Sequence, residues 1–230
     1  MCGRFVFTDP SRIRSLMPDA HIDDQIIMGF KSQYNIAPSQ QILTMLNDGQ
    51  RTVTYTRWGL IPFWAKDKAV GYKLINARAE TLLEKPTFRS LVQKRRCMLF
   101  ADGFYEWSRT KKKAPHYIHL KNNEPFAFAG LWDTWMDKER DEVIISSTII
   151  TAGANDVIMG IHDRMPVILQ PDCYDLWLSQ PQKDPEGILW CLQAYPSEAM
   201  ETYVVSPLVN NPKNDTPECI LPSVRKEKSG

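Results

Sequence analysis

Five strand-like runs in close succession constrain this chain most. Met98–Ala101, Phe104–Trp107, His116–Leu120, Phe126–Leu131 and Val143–Thr151 are rich in β-branched and aromatic residues, which suit a pleated, half-buried surface. Asn122 and Asn123 mark the turn between two of them. Ile42–Leu46 and Thr52–Trp58 form another pair of strands, joined through Asn47-Asp48-Gly49, a hairpin signal. Thr202–Val205 is a last short strand. The helical stretches are brief: Ser11–Met17, with Asp9 as N-cap and Pro10 at the first helical position; Ala79–Glu84 and Thr87–Gln93, broken at Pro86; then Asp172–Leu178 and Glu186–Leu192. Hairpin-linked strands with a few short helices spell an antiparallel α+β domain. With 230 residues, one core is easily built, so residues 1–224 read as a single domain and 225–230 as a polar, solvated tail.

Composition excludes several classes. Apolar residues make up 43% and charged residues 24%, as in an ordinary soluble protein. No apolar run reaches the 18 or so residues of a membrane span, and the N-terminus lacks the apolar core of a signal peptide. Five widely spaced cysteines without a C-x-x-C pair suggest reduced thiols in the cytoplasm, not a disulfide framework or a zinc site. No Gly-rich phosphate loop points to a nucleotide cofactor, and no cofactor or metal is expected. A net charge of +1 argues at first against a nucleic-acid partner. That total hides a net +11 over residues 51–121 and a net −8 over residues 133–230. Either the basic stretch forms a local patch, or the two charge sets mix on the folded surface.

Cys2 is the most informative position. Methionine aminopeptidase usually removes Met1 before so small a side chain, leaving an α-amine and a thiol on adjacent carbons. Their unperturbed pKa values are about 7.7–8.0 and 8.5, so both are partly nucleophilic near neutral pH. Such a 1,2-aminothiol condenses with an aldehyde to an imine and then closes to a five-membered thiazolidine. The thiol could instead attack an acyl carbon. A bland alternative is a small buried hydrophobe, and Cys2 alone favours it. Glu106 lies inside an aromatic run, where desolvation would raise its pKa and make it a general acid; an outward-facing strand carboxylate is an equal alternative. His162 lies in Ile161-His162-Asp163-Arg164-Met165-Pro166 and could move protons near pH 7, although a lone histidine is more often structural. His116 and His119 differ by three, so they point to opposite faces of a strand and read as structural. Lys111, Lys112 and Lys113 read as a solvated loop.

A set of motifs stands in a definite order: Met1-Cys2-Gly3-Arg4-Phe5, Tyr34-Asn35-Ile36-Ala37-Pro38, Arg57-Trp58-Gly59-Leu60-Ile61-Pro62, Ile75-Asn76-Ala77-Arg78-Ala79-Glu80-Thr81, Asp102-Gly103-Phe104-Tyr105-Glu106-Trp107, Thr151-Ala152 and the segment around His162. The ordered set resembles the SRAP family, the SOS-response-associated peptidases, also described as abasic-site processing proteins. The likeness is to bacterial or phage members.

The resemblance implies a largely antiparallel, barrel-like sheet flanked by short helices. It implies a monomer whose partner is single-stranded DNA containing abasic sites, captured as a covalent thiazolidine on Cys2. By motif match, Asn76 would hold the opened sugar, Glu106 would protonate the ring oxygen, and His162 would assist ring opening and later resolution of the crosslink. Arg4, Arg78 and Arg164 would contact phosphates, and Thr151 would join the DNA-binding set. Pro38, Trp58 and Trp64 would lie near the strand. Relatives carry an arginine where this chain offers Lys85, which lacks the bidentate fork. The resemblance also implies lyase character, an association with the nucleoid during DNA damage, and limited autoproteolysis. Two other readings stand beside it: a cysteine peptidase using Cys2, and a non-catalytic single-strand binder.

Overall fold

The computed structural model describes residues 2–109, 113–179 and 186–223. Twelve strands are present among them: β1 Phe5–Phe7, β2 Gln33–Ile36, β3 Gln41–Leu46, β4 Val53–Trp58, β5 Asn76–Arg78, β6 Arg96–Ala101, β7 Gly103–Trp107, β8 Pro115–Leu120, β9 Phe126–Asp137, β10 Glu142–Gly153, β11 Arg164–Pro166 and β12 Met200–Val204. β10, β4, β3, β6 and β9 pair in that order, and β9 returns to β10, closing a five-stranded barrel. Only the β10–β4 contact within the ring is parallel. Closure removes the unpaired edges that an open sheet would expose. The other sheet runs β12-β8-β7-β1-β2, antiparallel throughout.

Aromatic packing joins the two sheets. Phe5 meets Trp58 and Phe128 edge-on, with centroids at 5.1 and 5.8 Å, and Phe104 meets Phe128 at 6.0 Å. These offset geometries suit the ring quadrupoles and bury large apolar areas. The opposite face of the β1–β7–β8 sheet buries Val6, Tyr105, Tyr117, Val205 and Val209.

β10 is the element that positions the site. Its first half pairs with β9, from Glu142 opposite Asp137 to Ile149 opposite Gly130. Its second half pairs in parallel with β5 and antiparallel with β11. The expected run Val143–Thr151 is thus one continuous strand serving two neighbourhoods. β9 extends six residues beyond the expected end at Leu131.

The expected helix Ala79–Glu84 is only a 3-10 turn, Ala79–Thr81, and the one at Glu186–Leu192 is shorter, Glu186–Leu189. Pro86 opens the helix Pro86–Lys94 instead of merely breaking the chain. Asp9 does cap the first helical segment, accepting from the Ser11 amide. No helix among the described residues is long and apolar enough to cross a membrane. Lys111, Lys112 and the expected tail at 225–230 lie outside the described residues.

Candidate functional site

Cys2 leads into β1, and its side chain is fully enclosed. Its carbonyl accepts a hydrogen bond from Asn76 Nδ2 at 2.8 Å, and its thiol lies 3.8 Å from the Arg4 carbonyl as a weak donor. Burial, and then the neighbouring Glu106 charge, push the thiol far above its ordinary range. In this state Cys2 carries a neutral S–H.

Asn76 is delivered by β5, whose register sets it opposite Ile149 of β10. The chain reaches β5 through a tightly cinched loop. Gly59 has φ +120°, and a Cβ there would fall 2.6 Å from the Gly71 carbonyl oxygen. The Gly59 amide donates to Ser147 O and the Leu60 amide to Leu74 O, so both ends of the loop are fixed. Asn76 Oδ1 is buried and has no hydrogen-bond partner among the described residues. An orphaned buried acceptor costs about 1–3 kcal/mol, so a donor from outside the chain has a place to bind.

Glu106 belongs to β7 and, by strand alternation, shares the barrel-facing side with Phe104. It is 4% exposed. Burial pushes its carboxyl above the usual range, and the nearby His162 pulls it partly back. Glu106 therefore acts electrostatically on Cys2 and His162 alike, which sets the three in one neighbourhood. A carboxyl that keeps its proton above the usual range is fit for general acid work.

His162 follows the short helix Asp156–Met159. Its Nδ1 accepts from the Arg164 amide at 3.0 Å, which leaves the proton of a neutral ring on Nε2. Nδ1 is also 3.1 Å from Asp163 Oδ1. Asp163 pairs with Arg109, which holds its carboxyl below the usual range.

Arg164 is two-sided. Its Nη1 and Nη2 bind the two Glu80 oxygens at 2.7 and 3.0 Å, and Nη2 also reaches Thr151 O at 2.5 Å and Thr151 Oγ1 at 3.1 Å.

The remaining expected residues divide by exposure. Arg78 and Lys85 are exposed, Pro38 is partly exposed, and Trp64 shows 57% of its surface. Trp58 and Thr151 are fully buried. Trp58 packs on Phe5 and donates its indole N–H to Ile75 O, so its place is in the core beneath the site, with no face for a nucleobase. Thr151 acts through Arg164. Arg4 lies over Trp107 and donates to Asn35 Oδ1 and Val209 O, at 2.7 and 2.8 Å, so it ties β1 to the 207–214 segment.

Sequence reasoning passed over Phe63, Glu80 and Tyr72. Phe63 is 70% exposed beside Trp64, and the Phe63-Trp64 doublet was the available signal. Tyr72 is exposed under Arg57, and Glu80 stood within a quoted motif but was given no role. A recess of 820 Å³ lies between Phe63–Lys68 and Trp135–Glu139, and neither Cys2 nor Glu106 lines it. The Cys2, Asn76 and Glu106 cluster therefore sits apart from that recess, where the barrel and the second sheet meet.

Comparison with known proteins gives the family. The family model for SOS response associated peptidase (SRAP) matches residues 1–212. The chain is 47% identical over 224 residues to abasic site processing protein YoqW of Bacillus subtilis, covering 96% of this chain and 99% of that one. It is 31% identical to abasic site processing protein HMCES of Xenopus tropicalis, covering 87% and 69% respectively. A solved protein from Bacteroides thetaiotaomicron superimposes with a TM-score of 0.86 at 27% identity, over 97% of this chain and all of that one. Matched over nearly its whole length by the family model and by close relatives, the chain belongs to the SRAP family.

Proposed function

We propose that this protein processes abasic sites in single-stranded DNA by forming a covalent thiazolidine through Cys2, once Met1 has been removed. The observation that carries the reading is the convergence on Cys2: Asn76 holds its carbonyl, and Glu106, a buried acid, acts on its thiol. The names of the relatives at 44–47% identity supply the substrate class.

An abasic deoxyribose is electrophilic only as the open aldehyde. Glu106 gives its proton to the ring oxygen as the C1′–O4′ bond breaks, and His162 moves the hydroxyl proton that leaves C1′. The Cys2 amine then adds to the aldehyde carbon, and loss of one water gives the imine. The thiol sulfur adds to the imine carbon, and its proton goes to nitrogen. The net change is aldehyde plus aminothiol to thiazolidine plus water, with no oxidant or reductant. Asn76 Oδ1, buried without a partner among the described residues, accepts from a hydroxyl of the opened sugar in this reading. Arg78 and Lys85 offer phosphate contacts that read no sequence, and Trp64 and Pro38 offer surfaces for neighbouring bases. Arg4 and Thr151 support the site from behind. We read the protein as a cytoplasmic monomer that needs no cofactor and meets damaged DNA at the nucleoid, with lyase character and self-processing as secondary traits.

The peptidase reading asks Cys2 to attack as a thiolate, and burial together with the Glu106 charge opposes that form. One experiment separates the readings. Protein lacking Met1 is incubated with a single-stranded oligonucleotide bearing one abasic site and run on a denaturing gel. An SDS-resistant adduct is expected, absent for Cys2→Ala and for an intact oligonucleotide. An adduct retained by Cys2→Ala would sink the proposal, as would Cys2-dependent turnover of an unrelated peptide with no adduct.

A further inference from the structure

We propose that Glu80 is a detachable stand-in for a DNA phosphate, holding the Arg164 guanidinium until the strand displaces it. The inference rests on the reading of DNA as ligand and assigns a role to a residue that the reading leaves unused.

The ion pair is asymmetric. The Arg164 side chain is 16% exposed, whereas that of Glu80 is 53% exposed. Arg164 is anchored independently of Glu80. Its Nη2 is bound by both oxygens of the buried Thr151, and its backbone amide is bound to His162 Nδ1. Glu80 stands in the 3-10 turn Ala79–Thr81, and its carboxylate reaches out to the guanidinium. When the pair opens, the cation keeps its place and the anion swings into water.

The geometry of the pair also suits exchange. Two carboxylate oxygens occupy two guanidinium nitrogens side by side, the arrangement that two oxygens of a phosphate diester adopt on the same fork. An exposed carboxylate of this kind is held only weakly, so a phosphate at high local concentration can replace it. Leaving the guanidinium bare would cost more in a site this enclosed, and Glu80 keeps it satisfied without DNA.

The site gains discrimination from this arrangement. Intact single strands must displace Glu80 with nothing further to gain. An abasic strand displaces it once and is then retained by the covalent bond. Because Arg164 is bonded through its backbone to His162, the phosphate taken by the fork also fixes the strand's distance from the residue that handles protons.

Binding of a fluorescent, undamaged single-stranded oligonucleotide tests this, measured across a series of salt concentrations with wild type, Glu80→Gln, Glu80→Ala, Arg164→Gln and the double variant Glu80→Gln/Arg164→Gln. Both Glu80 variants should tighten binding about fivefold at low salt. Their log–log salt slope should steepen by about 0.7, the value for one more phosphate neutralised on a single strand. In the Arg164→Gln background, Glu80→Gln should neither tighten binding nor change the slope. If both Glu80 variants, melting at the wild-type temperature, bind no better than wild type, the proposal is overturned. A gain that persists without Arg164 also overturns it, since general charge repulsion would then be its source. Failure of wild type to form an abasic adduct would defeat the broader reading and leave the competition on intact strand still measurable.

Discussion

At the residue scale, Glu106 shows how a fold makes an acid from an ordinary carboxylate. Strand alternation turns it toward the barrel, and burial there favours its neutral form. The sign of the consequence is definite. A carboxyl whose folded pKa is raised contributes most to stability below its unfolded pKa, and that contribution is lost as pH rises through the folded value. The acid form that the proposed ring opening would use is lost over the same interval. Glu106→Gln should therefore slow adduct formation by about 10²-fold or more at neutral pH. It should also flatten the high-pH fall in rate, and above the ordinary carboxylate range its melting temperature should hold up better than that of wild type. Adduct rates and melting curves from pH 5 to 9 check both outcomes. A variant that reacts at the wild-type rate would remove Glu106 from the chemistry. Sequence left its orientation open, since alternation alone cannot say which side of a strand is covered. Cys2 alone pointed to a small buried hydrophobe, and it is indeed fully buried; only the ordered motif set brought its aminothiol chemistry forward.

At the scale of elements, what was legible depended on length. The runs from Met98 to Thr151 are long enough for their composition to speak, and β6 to β10 appear where expected. β5 and β11, each three residues long, carry the Asn76 and Arg164 arms of the site but no strand signal of their own. They are strands because β10 offers both a pairing edge, and that partner is distant in sequence. The same long-range logic hides the role of Arg4 and Asn35. Asn35 is fully buried. It accepts from Arg4 and donates through Nδ2 to the carbonyls of Val209, Asn211 and Asn214 at 3.2, 3.1 and 2.7 Å. Asp215 adds bonds to the Tyr34 and Asn35 amides. Together these tie the 207–215 segment to Arg4 and to β2. Asn35→Ala would strand several buried groups at about 1–3 kcal/mol each. A loss of about 3 kcal/mol lowers Tm by about 10 °C in a chain of this size. Calorimetry should show that loss, and hydrogen exchange should show the 207–214 amides opening before those of the barrel. Barrel and segment amides opening together would mean that Asn35 is only a local filler.

At the scale of the molecule, charge separates along the sequence but recombines in space. The basic stretch from 51 to 121 and the acidic stretch from 133 to 230 meet in several ion pairs: Arg51 with Asp175, Lys68 with Asp137, Arg95 with Asp133, and Arg109 with Asp163. The two charge sets thus mix on the folded surface, and the local basic patch gives way to scattered cations such as Arg78 and Lys85. Non-specific attraction to a strand scales with the number of phosphates neutralised. If about three are neutralised, the log–log salt slope for an intact single strand should be about −2, and binding should fade between low and physiological salt. The abasic adduct should behave oppositely. Its formation rate should drop with salt because the encounter is electrostatic, whereas the adduct, once formed, should survive washing at high salt because a covalent bond holds it. Titrations of intact oligonucleotide in parallel with salt washes of the preformed adduct separate the two. A steep slope for intact DNA, or an adduct released by salt alone, would mean that charge and not chemistry retains the strand. On the proposed reading a near-neutral surface and a reactive N-terminus are complementary: weak attraction would let the protein leave undamaged DNA, and Cys2 would supply the persistence that charge does not.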